Sequence, residues 1–267
     1  MWGSIMIESH PCLINAGGDL ILWRYLSFEK FRSLLIDKGL FFFCRLDKFS
    51  DPYEGSVPRR EVEFRVNEAR KYAARYNLKF SIEKDDKPIA DVHRRSKRTT
   101  IVNCWHINQN ESDAMWQLYL KDNEGVAIQT NLSSLIPLMD GIPSKISPSK
   151  IRYINYGADI WYDSTHYPVR DYNFLTPFVH KRIEFEYESE FRFFIEVQEA
   201  EQDENYWESQ PIHIGKIITI DVSKLVEKVI FSPTADTKVK EKLVNLAIEN
   251  DYNFIFEESQ LNCEPEF

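Results

Sequence analysis

The sequence predicts an α+β protein, on the evidence of two periodicities and of their order along the chain. Stretches with the two-residue period of strands are interspersed with stretches that have the 3.6-residue period of helices. Short strand-like stretches crowd the second half, where a doubly wound chain would place a helix after each strand. The chain has 267 residues, 43% of them apolar, which is enough to bury the core of one large domain. We therefore expect a single α+β domain over residues 1–267.

The first predicted elements are a strand, a helix and a second strand. DLILWRYL is typical of a strand, and SFEKFRSLLIDKG then changes to helical spacing, with Ser27 placed as N-cap and Gly39 as the stop. LFFFCRL resumes the strand pattern. FSDPYEG is predicted to be a turn because of its Asp-Pro pair and its glycine.

A helical insertion is predicted after the second strand, over residues 55–99. Residues 61–76 have the spacing of an amphipathic helix. The remainder is charged and weakly patterned, and Pro88 fits poorly in a central strand. We expect a mostly helical excursion that projects from the sheet and carries the basic run HRRSKR at 93–98.

Strands and helices then follow in short alternation. The predicted strands are TTIVNCW, GVAIQT, KIRYINY, ESEFRFFIEV, HIGKIITI, VEKVIFS and NFIFEES. The predicted helices are SDAMWQLYLKD, a stretch around 176–185 and TADTKVKEKLVNLAIEND.

Composition excludes several classes of function. A formal net charge of −9 argues against binding nucleic acid over the whole surface, although a local patch remains open. The apolar stretches are shorter than the roughly 20 residues of a membrane helix, and MWGSIMIESH lacks the features of a signal peptide. We expect a cytoplasmic protein that does not bind membranes. The four cysteines and six histidines have no metal-site spacing.

The segment ESEFRFFIEV, residues 188–197, places charges inside a strand-like run. In an extended chain Glu188, Glu190 and Arg192 share one face, opposite Phe191 and Phe193. One interpretation is a solvated outer face on which the arginine pairs with a glutamate. The other is a site in which a glutamate on a rigid strand binds a sugar hydroxyl or stabilises developing positive charge. The pattern leaves both open.

Two further groups could bind a ligand. Arg24, between Trp23 and Tyr25, could hold a phosphate or a ribose oxygen through its planar fork, or could be a surface arginine stacked on a ring. The turn SDPYEG supplies Asp51 and Glu54, which by themselves indicate only a turn.

A third group is aromatic. Trp105, His106, Trp116 and Tyr119 lie within fifteen positions. Trp116 and Tyr119 are three residues apart and share a face of the predicted helix, where core packing and ligand contact are both open.

The chain resembles a bacterial family, domain-of-unknown-function family 2971. The resemblance is carried by LWRYLSFEKFRSLLIDKGLFF, FSDPYEG, AMWQLYLKDNEGVAIQT, KRIEFEYESEFRF and KVIFSPTADTKVKEKL, and covers most of residues 20–260. Ser50 stands where such proteins usually have asparagine, and Leu118 where histidine is frequent.

A more distant similarity is to ADP-ribosyltransferases, which also have an aromatic-flanked Arg or His on a first strand and a late strand with an ExE pair. This resemblance implies a mixed, split sheet and a cleft that binds NAD as substrate. Glu190 would act at the ribose as the catalytic carboxylate, with Glu188 beside it. The resemblance places Arg24 on the ribose or phosphates and an aromatic ring on nicotinamide. The candidate cofactor-binding residues are Arg24, Tyr25, Asp51, Trp116, Tyr119 and Arg192, and Arg192 is expected to hold a glutamate in place.

The resulting functional prediction is an NAD-consuming ADP-ribosyltransferase or NAD glycohydrolase, with a nucleic acid or a protein as acceptor and a role as toxin or phage-defence effector. Two other functions remain open. One is a non-catalytic module that binds a nucleotide or a partner in the same cleft. The other is a nucleic-acid-processing protein that uses HRRSKR for phosphate contacts.

Overall fold

A computed structural model describes residues 13, 19–36, 40–85, 87–120, 124–139, 142, 146–161, 175–263 and 265. The α+β class is confirmed, because these residues contain both a large sheet and several helices. The strands are β1 Ile21–Ser27, β2 Leu40–Arg45, β3 Thr100–Ile107, β4 Gly125–Asn131, β5 Ile146–Lys150, β6 Arg152–Ile154, β7 His180–Arg182, β8 Glu190–Glu196, β9 Gly215–Thr219, β10 Lys228–Phe231 and β11 Phe256–Glu257.

The helices surround this sheet. They are α1 Phe28–Ile36, α2 Arg59–Arg75, α3 Ile82–Asp85, α4 Lys87–Thr99, α5 Asp113–Tyr119, α6 Leu132–Met139, α7 Gln198–Gln202, α8 Val222–Leu225 and α9 Thr237–Glu249. None of the described helices is both long enough and apolar enough to cross a lipid bilayer.

The main sheet has nine strands among the described residues and is mostly antiparallel. Its path is β11-β10-β4-β1-β3-β2-β9, and β8 pairs with both β3 and β5. The β10–β11 pair is parallel, which makes the sheet mixed. A separate parallel pair joins β6 to β7.

The sheet is split along one edge of β3. At one end of β3, His106 and Ile107 pair with β1. At the other end, Ile101 and Val102 pair with β2. Between them, residues 103–105 face no strand of the described chain on that edge, while the opposite edge pairs continuously with β8. The gap between β1 and β2 therefore opens in the middle of the sheet.

Apolar side chains pack on both faces of the sheet. Leu22 and Leu26 of β1 join a core that includes Phe191, Phe193 and Ile195 of β8. Trp23 and Tyr25, the alternate residues of β1, pack on the other face in a cluster with Met115 and Trp116 of α5. This is the alternation expected of a strand covered on both sides.

Three predictions about the elements need correction. The strand expected over 188–197 begins only at Glu190, because the preceding residues 183–188 form a 3-10 helix. The helix expected around 176–185 is replaced by two 3-10 segments on either side of β7. The interpretation of ESEFRFFIEV as a strand with a solvated outer face is also wrong, since every residue of β8 from Glu190 to Ile195 is buried.

The structure has three helices, α2 to α4, between β2 and β3, where the sequence predicts a helical insertion. The basic run HRRSKR lies in α4, and its last two cations contact other parts of the fold. Lys97 donates a hydrogen bond to the carbonyl oxygen of Pro52, and Arg98 donates one to that of Glu204. Gly39, the predicted end of the first helix, lies outside the described residues.

Candidate active site

A cavity of about 820 Å³ lies at the split in the sheet. Its walls include Arg24 and Tyr25 of β1, Cys44 of β2, and Cys104 and His106 of β3. The volume is in the range of small-molecule sites. Because no strand of the described residues fills the gap between β1 and β2, side chains from both faces of the sheet reach this space.

Arg24 and Glu190 reach the cavity from opposite faces. Trp23, His106 and Glu190 are cross-strand neighbours in one row over β1, β3 and β8, so they share a face. Arg24 is next to Trp23 and points the other way, with its guanidinium 6.0 Å from the centre of the Trp105 ring. Both Arg24 and Glu190 nevertheless line the cavity.

A buried cluster of charged side chains holds Glu190 in place at the cavity. Arg192 is fully buried and binds two carboxylates. Its two terminal nitrogens donate to Glu54 at 2.9 and 2.8 Å, and its Nε donates to Glu190 Oε2 at 2.8 Å. Such a bidentate contact fixes the plane of a carboxylate as well as neutralising it. Arg192 therefore fixes the plane of Glu54 and anchors one oxygen of Glu190 on its own strand.

Lys181 of β7 is the second cation of the cluster. Its Nζ lies 3.3 Å from Glu54, 3.6 Å from Glu190 and 2.5 Å from Glu188. Burial would lower the pKa of Lys181, but the surrounding carboxylates raise it above its usual value. Lys181 is thus held in its charged form between three acidic side chains.

The cluster contains three carboxyl groups and two cations. This excess of carboxyl groups affects the pKa of Glu188. Burial and the charge of Glu190 raise the pKa of Glu188 from 4.5 to about 7. Burial also acts against ionisation of Glu54, but Arg192 and Lys181 lower its pKa below 4.5. Near neutral pH Glu54 is therefore ionised, while Glu188 titrates.

The turn FSDPYEG delivers Glu54 and Asp51 to this cluster. Gly55 adopts a left-handed φ of 67°, and a Cβ there would lie 2.9 Å from the Phe178 ring, so only glycine fits without displacement. Asp51 receives a two-point contact from Arg182, with Nε and a terminal nitrogen at 3.1 and 2.9 Å. The glycine lets the turn pack closely enough to bury Glu54.

Glu190 is held by its backbone as well as by its side chain. Its N–H donates to the hydroxyl of Tyr153 at 2.8 Å, and its carbonyl oxygen accepts from the N–H of Ile151 at 2.9 Å. Only Oε2 of the carboxylate is bound by Arg192. Within the described residues Oε1 has no hydrogen-bond partner, so one oxygen is anchored and the other remains available to the cavity.

Besides Lys181, the described cavity lining contains three cations, Arg24, Lys30 and Lys48. Desolvation lowers the pKa of Arg24 to about 10, which leaves it charged at neutral pH. Desolvation and the nearby charge of Arg24 lower the pKa of Lys30. The cavity therefore receives the carboxyl group of Glu190 from one face of the sheet and the cation of Arg24 from the other.

His106 lies beside the glutamates with a defined tautomer. Its Nδ1 is 2.7 Å from the carbonyl oxygen of Glu188, and because a carbonyl only accepts, Nδ1 carries the proton. Burial lowers the pKa of His106, which favours the neutral ring. Its Nε2 has no hydrogen-bond partner in the described part of the chain. This nitrogen is an acceptor at the edge of the site.

The structure brings most of the sequence-predicted site residues together. Those that line the cavity are Arg24, Tyr25, Asp51, Tyr119, Glu188 and Glu190. Arg192 is not part of the described lining and acts from beneath it, on Glu190. Trp116 is also outside the lining, where its ring meets Tyr25 edge-on at 4.8 Å and its Nε1 donates to Glu111.

Glu188 reaches the site in a different way from the one expected. It ends a 3-10 helix, and Ser189, with a left-handed φ of 40°, connects it to β8. Glu188 and Glu190 are therefore not two steps of one strand, although both line the cavity.

Lys181 is the main residue that sequence reasoning missed. It lies in KRIEFEYESEFRF, but a lone lysine before an acidic run gives no signal of its own. Cys104 and Lys30 were missed for the same reason, since neither belongs to a motif.

No protein-family model, no curated protein and no solved structure matches the chain. The function of this site is consequently argued from its residues and their geometry.

Proposed function

We propose that the protein cleaves the bond between nicotinamide and ribose in NAD and transfers the ADP-ribosyl group to water or to another acceptor. In this reaction the C1′–N bond breaks, its electron pair leaves with nicotinamide, and the acceptor oxygen or nitrogen bonds to C1′ and loses a proton. The developing charge at C1′ is positive. A carboxylate beside it lowers the energy of the transition state.

The observation that carries the proposal is the state of Glu190. One oxygen is anchored by Arg192 and the other is available to a cavity that also contains Arg24. A carboxylate held in this way can accept a hydrogen bond from a ribose hydroxyl and stabilise an adjacent cation without reorganising. The resemblance to ADP-ribosyltransferases assigns the same task to this residue.

The division of charge in the cavity also supports NAD as ligand. Arg24 and Lys30 provide positive charge that suits a diphosphate. Tyr119, Phe185 and Tyr187 add aromatic surface to the cavity lining, which suits a planar base. A ligand that contacts both Arg24 and Glu190 would pass through the split in the sheet.

The test is release of nicotinamide from NAD by the purified protein, measured by chromatography with and without cell extract as a source of acceptor. We expect turnover by the wild type and a decrease of about one hundredfold or more in Glu190→Gln. Glu196→Gln removes a carboxylate from the exposed end of the same strand and serves as the matched control. It should retain wild-type turnover.

Glu190→Gln keeps one acceptor oxygen for Arg192, yet it changes a buried cluster, so folding must be monitored by circular dichroism and thermal melting. Turnover is then compared at a temperature at which both variants are folded. If the wild type releases no nicotinamide in either condition, the proposal fails. NAD binding without release would instead identify a nucleotide-binding module.

A further inference from the structure

The charge of this protein is divided sharply between the helical insertion and the rest of the chain. Residues 55–99 contain thirteen Lys and Arg against seven Asp and Glu, whereas the remaining residues contain twenty against thirty-five. The insertion is therefore positive by six charges on a body that is negative by fifteen. A polyanion is repelled by the body and attracted to the insertion.

Helix α2 and its C-cap residue present two tyrosines to solvent on this positive segment. Tyr72 is 60% exposed and Tyr76 54% exposed, and their ring centres are 4.6 Å apart. The guanidinium of Arg75 lies 5.8 Å from the Tyr76 ring. Large aromatic side chains are ordinarily covered, so a contiguous exposed pair indicates a contact surface.

Packing within the protein covers this helix only in part. Of the seventeen residues of α2, only Glu61 and Ala73 are buried. A helix that serves the core has a broad buried stripe, and α2 has none among its described side chains.

We propose that the C-terminal end of α2 and the residues that follow it bind single-stranded nucleic acid, with bases stacked on Tyr72 and Tyr76 and phosphates bound by Arg75 and Lys79. All four side chains are exposed. Single strands are held by this combination of aromatic platforms and basic side chains, because every base has a face that stacks and every nucleotide carries a phosphate. The acidic body confines such binding to this one surface.

The location keeps the surface separate from the cavity. The turn that contains Asp51 and Glu54 lines the cavity and leads into α2 at Arg59. Tyr72 is thirteen residues further along the helix, a distance of about 20 Å at the usual rise. Binding at α2 can thus be measured, and can fail, independently of any reaction with NAD.

The structure also moves the expected centre of nucleic-acid contact. Sequence reasoning placed it at HRRSKR, but Lys97 and Arg98 bind backbone carbonyls of the protein, and Arg94 pairs with Asp91. Of its four Lys and Arg side chains only Arg95 is both exposed and outside these contacts in the described structure. Phosphate binding therefore falls mainly to α2 and the segment that follows it.

The experiment is fluorescence anisotropy of the full chain with fluorescein-labelled dT20 and rU20 at 50 and 200 mM KCl. We expect binding at 50 mM that weakens at least tenfold at 200 mM, since bound phosphates release counterions. Tyr72→Ala with Tyr76→Ala should weaken binding by about tenfold or more. Tyr72→Phe with Tyr76→Phe keeps the rings and should bind like the wild type.

The charge control compares two pairs of exposed cations. Arg75→Ser with Lys79→Ser should weaken binding and reduce its salt dependence. Lys224→Ser with Lys238→Ser removes the same charge from the body and should change affinity less than twofold. The proposal is overturned if neither oligonucleotide binds at 50 mM KCl, if the alanine pair binds like the wild type, or if both serine pairs weaken binding equally.

Discussion

Arg24 and Glu190 project from opposite faces of one β-sheet and line the same cavity. This is geometrically allowed because β1 and β2 pair with different ends of β3 and leave a gap between them. A basic group and a carboxylate can therefore act on one ligand although an intact sheet would separate them. Four predictions follow from this arrangement and from the cluster beneath it.

Arg24 should bind the anionic part of the ligand. Replacing it by glutamine removes both the charge and the planar fork, and hydrogen bonds to charged groups are worth about 1.5–3 kcal/mol. We expect the dissociation constant for NAD to increase about tenfold or more, measured by isothermal titration calorimetry. Arg32→Gln changes an exposed arginine on the neighbouring helix and should bind NAD like the wild type. Equal affinity of Arg24→Gln and the wild type would contradict the assignment.

Arg192 should be essential for stability. Arg192→Met leaves Glu54 and Glu190 buried without their main counter-ion, and breaking a buried pair from one side costs about 3–5 kcal/mol. We expect a loss of that size in the free energy of unfolding, measured with urea at pH 7. Lys224→Met removes an exposed partner of Asp221 and should cost less than about 1 kcal/mol. A similar small loss in both variants would show that the cluster does not depend on Arg192.

Glu188 should make stability decrease as pH rises. Its pKa is raised from 4.5 to about 7, so between these values the folded protein holds a proton that the unfolded chain has released. The contribution of Glu188 to the free energy of unfolding is complete below pH 4.5 and is lost as pH rises through about 7. Glu188→Gln, which is neutral at every pH, should match the wild type at pH 5 and be the more stable of the two at pH 8.

The measurement is the difference in unfolding free energy between wild type and Glu188→Gln at each pH. His106 and His180, whose pKa values are lowered by burial, give stability that is lost as pH falls below 6.5, but they are common to both proteins and cancel. Glu186→Gln, at an exposed position of the same 3-10 helix, should show no such pH-dependent difference from the wild type. A difference independent of pH would mean that Glu188 does not titrate in this range.

Trp116 should stabilise the fold without binding NAD. Trp116→Phe keeps an aromatic ring against Tyr25 but removes the donor to Glu111, which also accepts from Ser259 near the C-terminus. We expect a loss of about 1–2 kcal/mol in unfolding free energy and an NAD dissociation constant within twofold of the wild type. An increase of tenfold or more would place Trp116 in the binding site.

Much of the secondary structure is determined by local pattern. The amphipathic spacing of residues 61–76 predicts α2, and the residues of SDAMWQLYLKD predict α5, where Ser112 accepts the capping hydrogen bond from Met115. Both depend on contacts only three or four residues apart, which a sequence displays directly. The segment 176–188 was mispredicted because its short strand and 3-10 segments exist only where β6 pairs with β7.

The candidate site likewise has residues that the sequence indicates and residues that only the fold brings to it. The sequence by itself singled out Arg24, Glu188, Glu190 and Arg192, because charged residues inside strand-like or aromatic runs are conspicuous. Only the tertiary structure decided that these glutamates are buried, that Glu54 and Lys181 join them, and that a split in the sheet connects them to Arg24. The physical reason is that burial and ion pairing depend on segments more than a hundred residues apart. Glu54 and Arg192 meet through strand pairing and the turn at Gly55. The local pattern of neither segment predicts this contact.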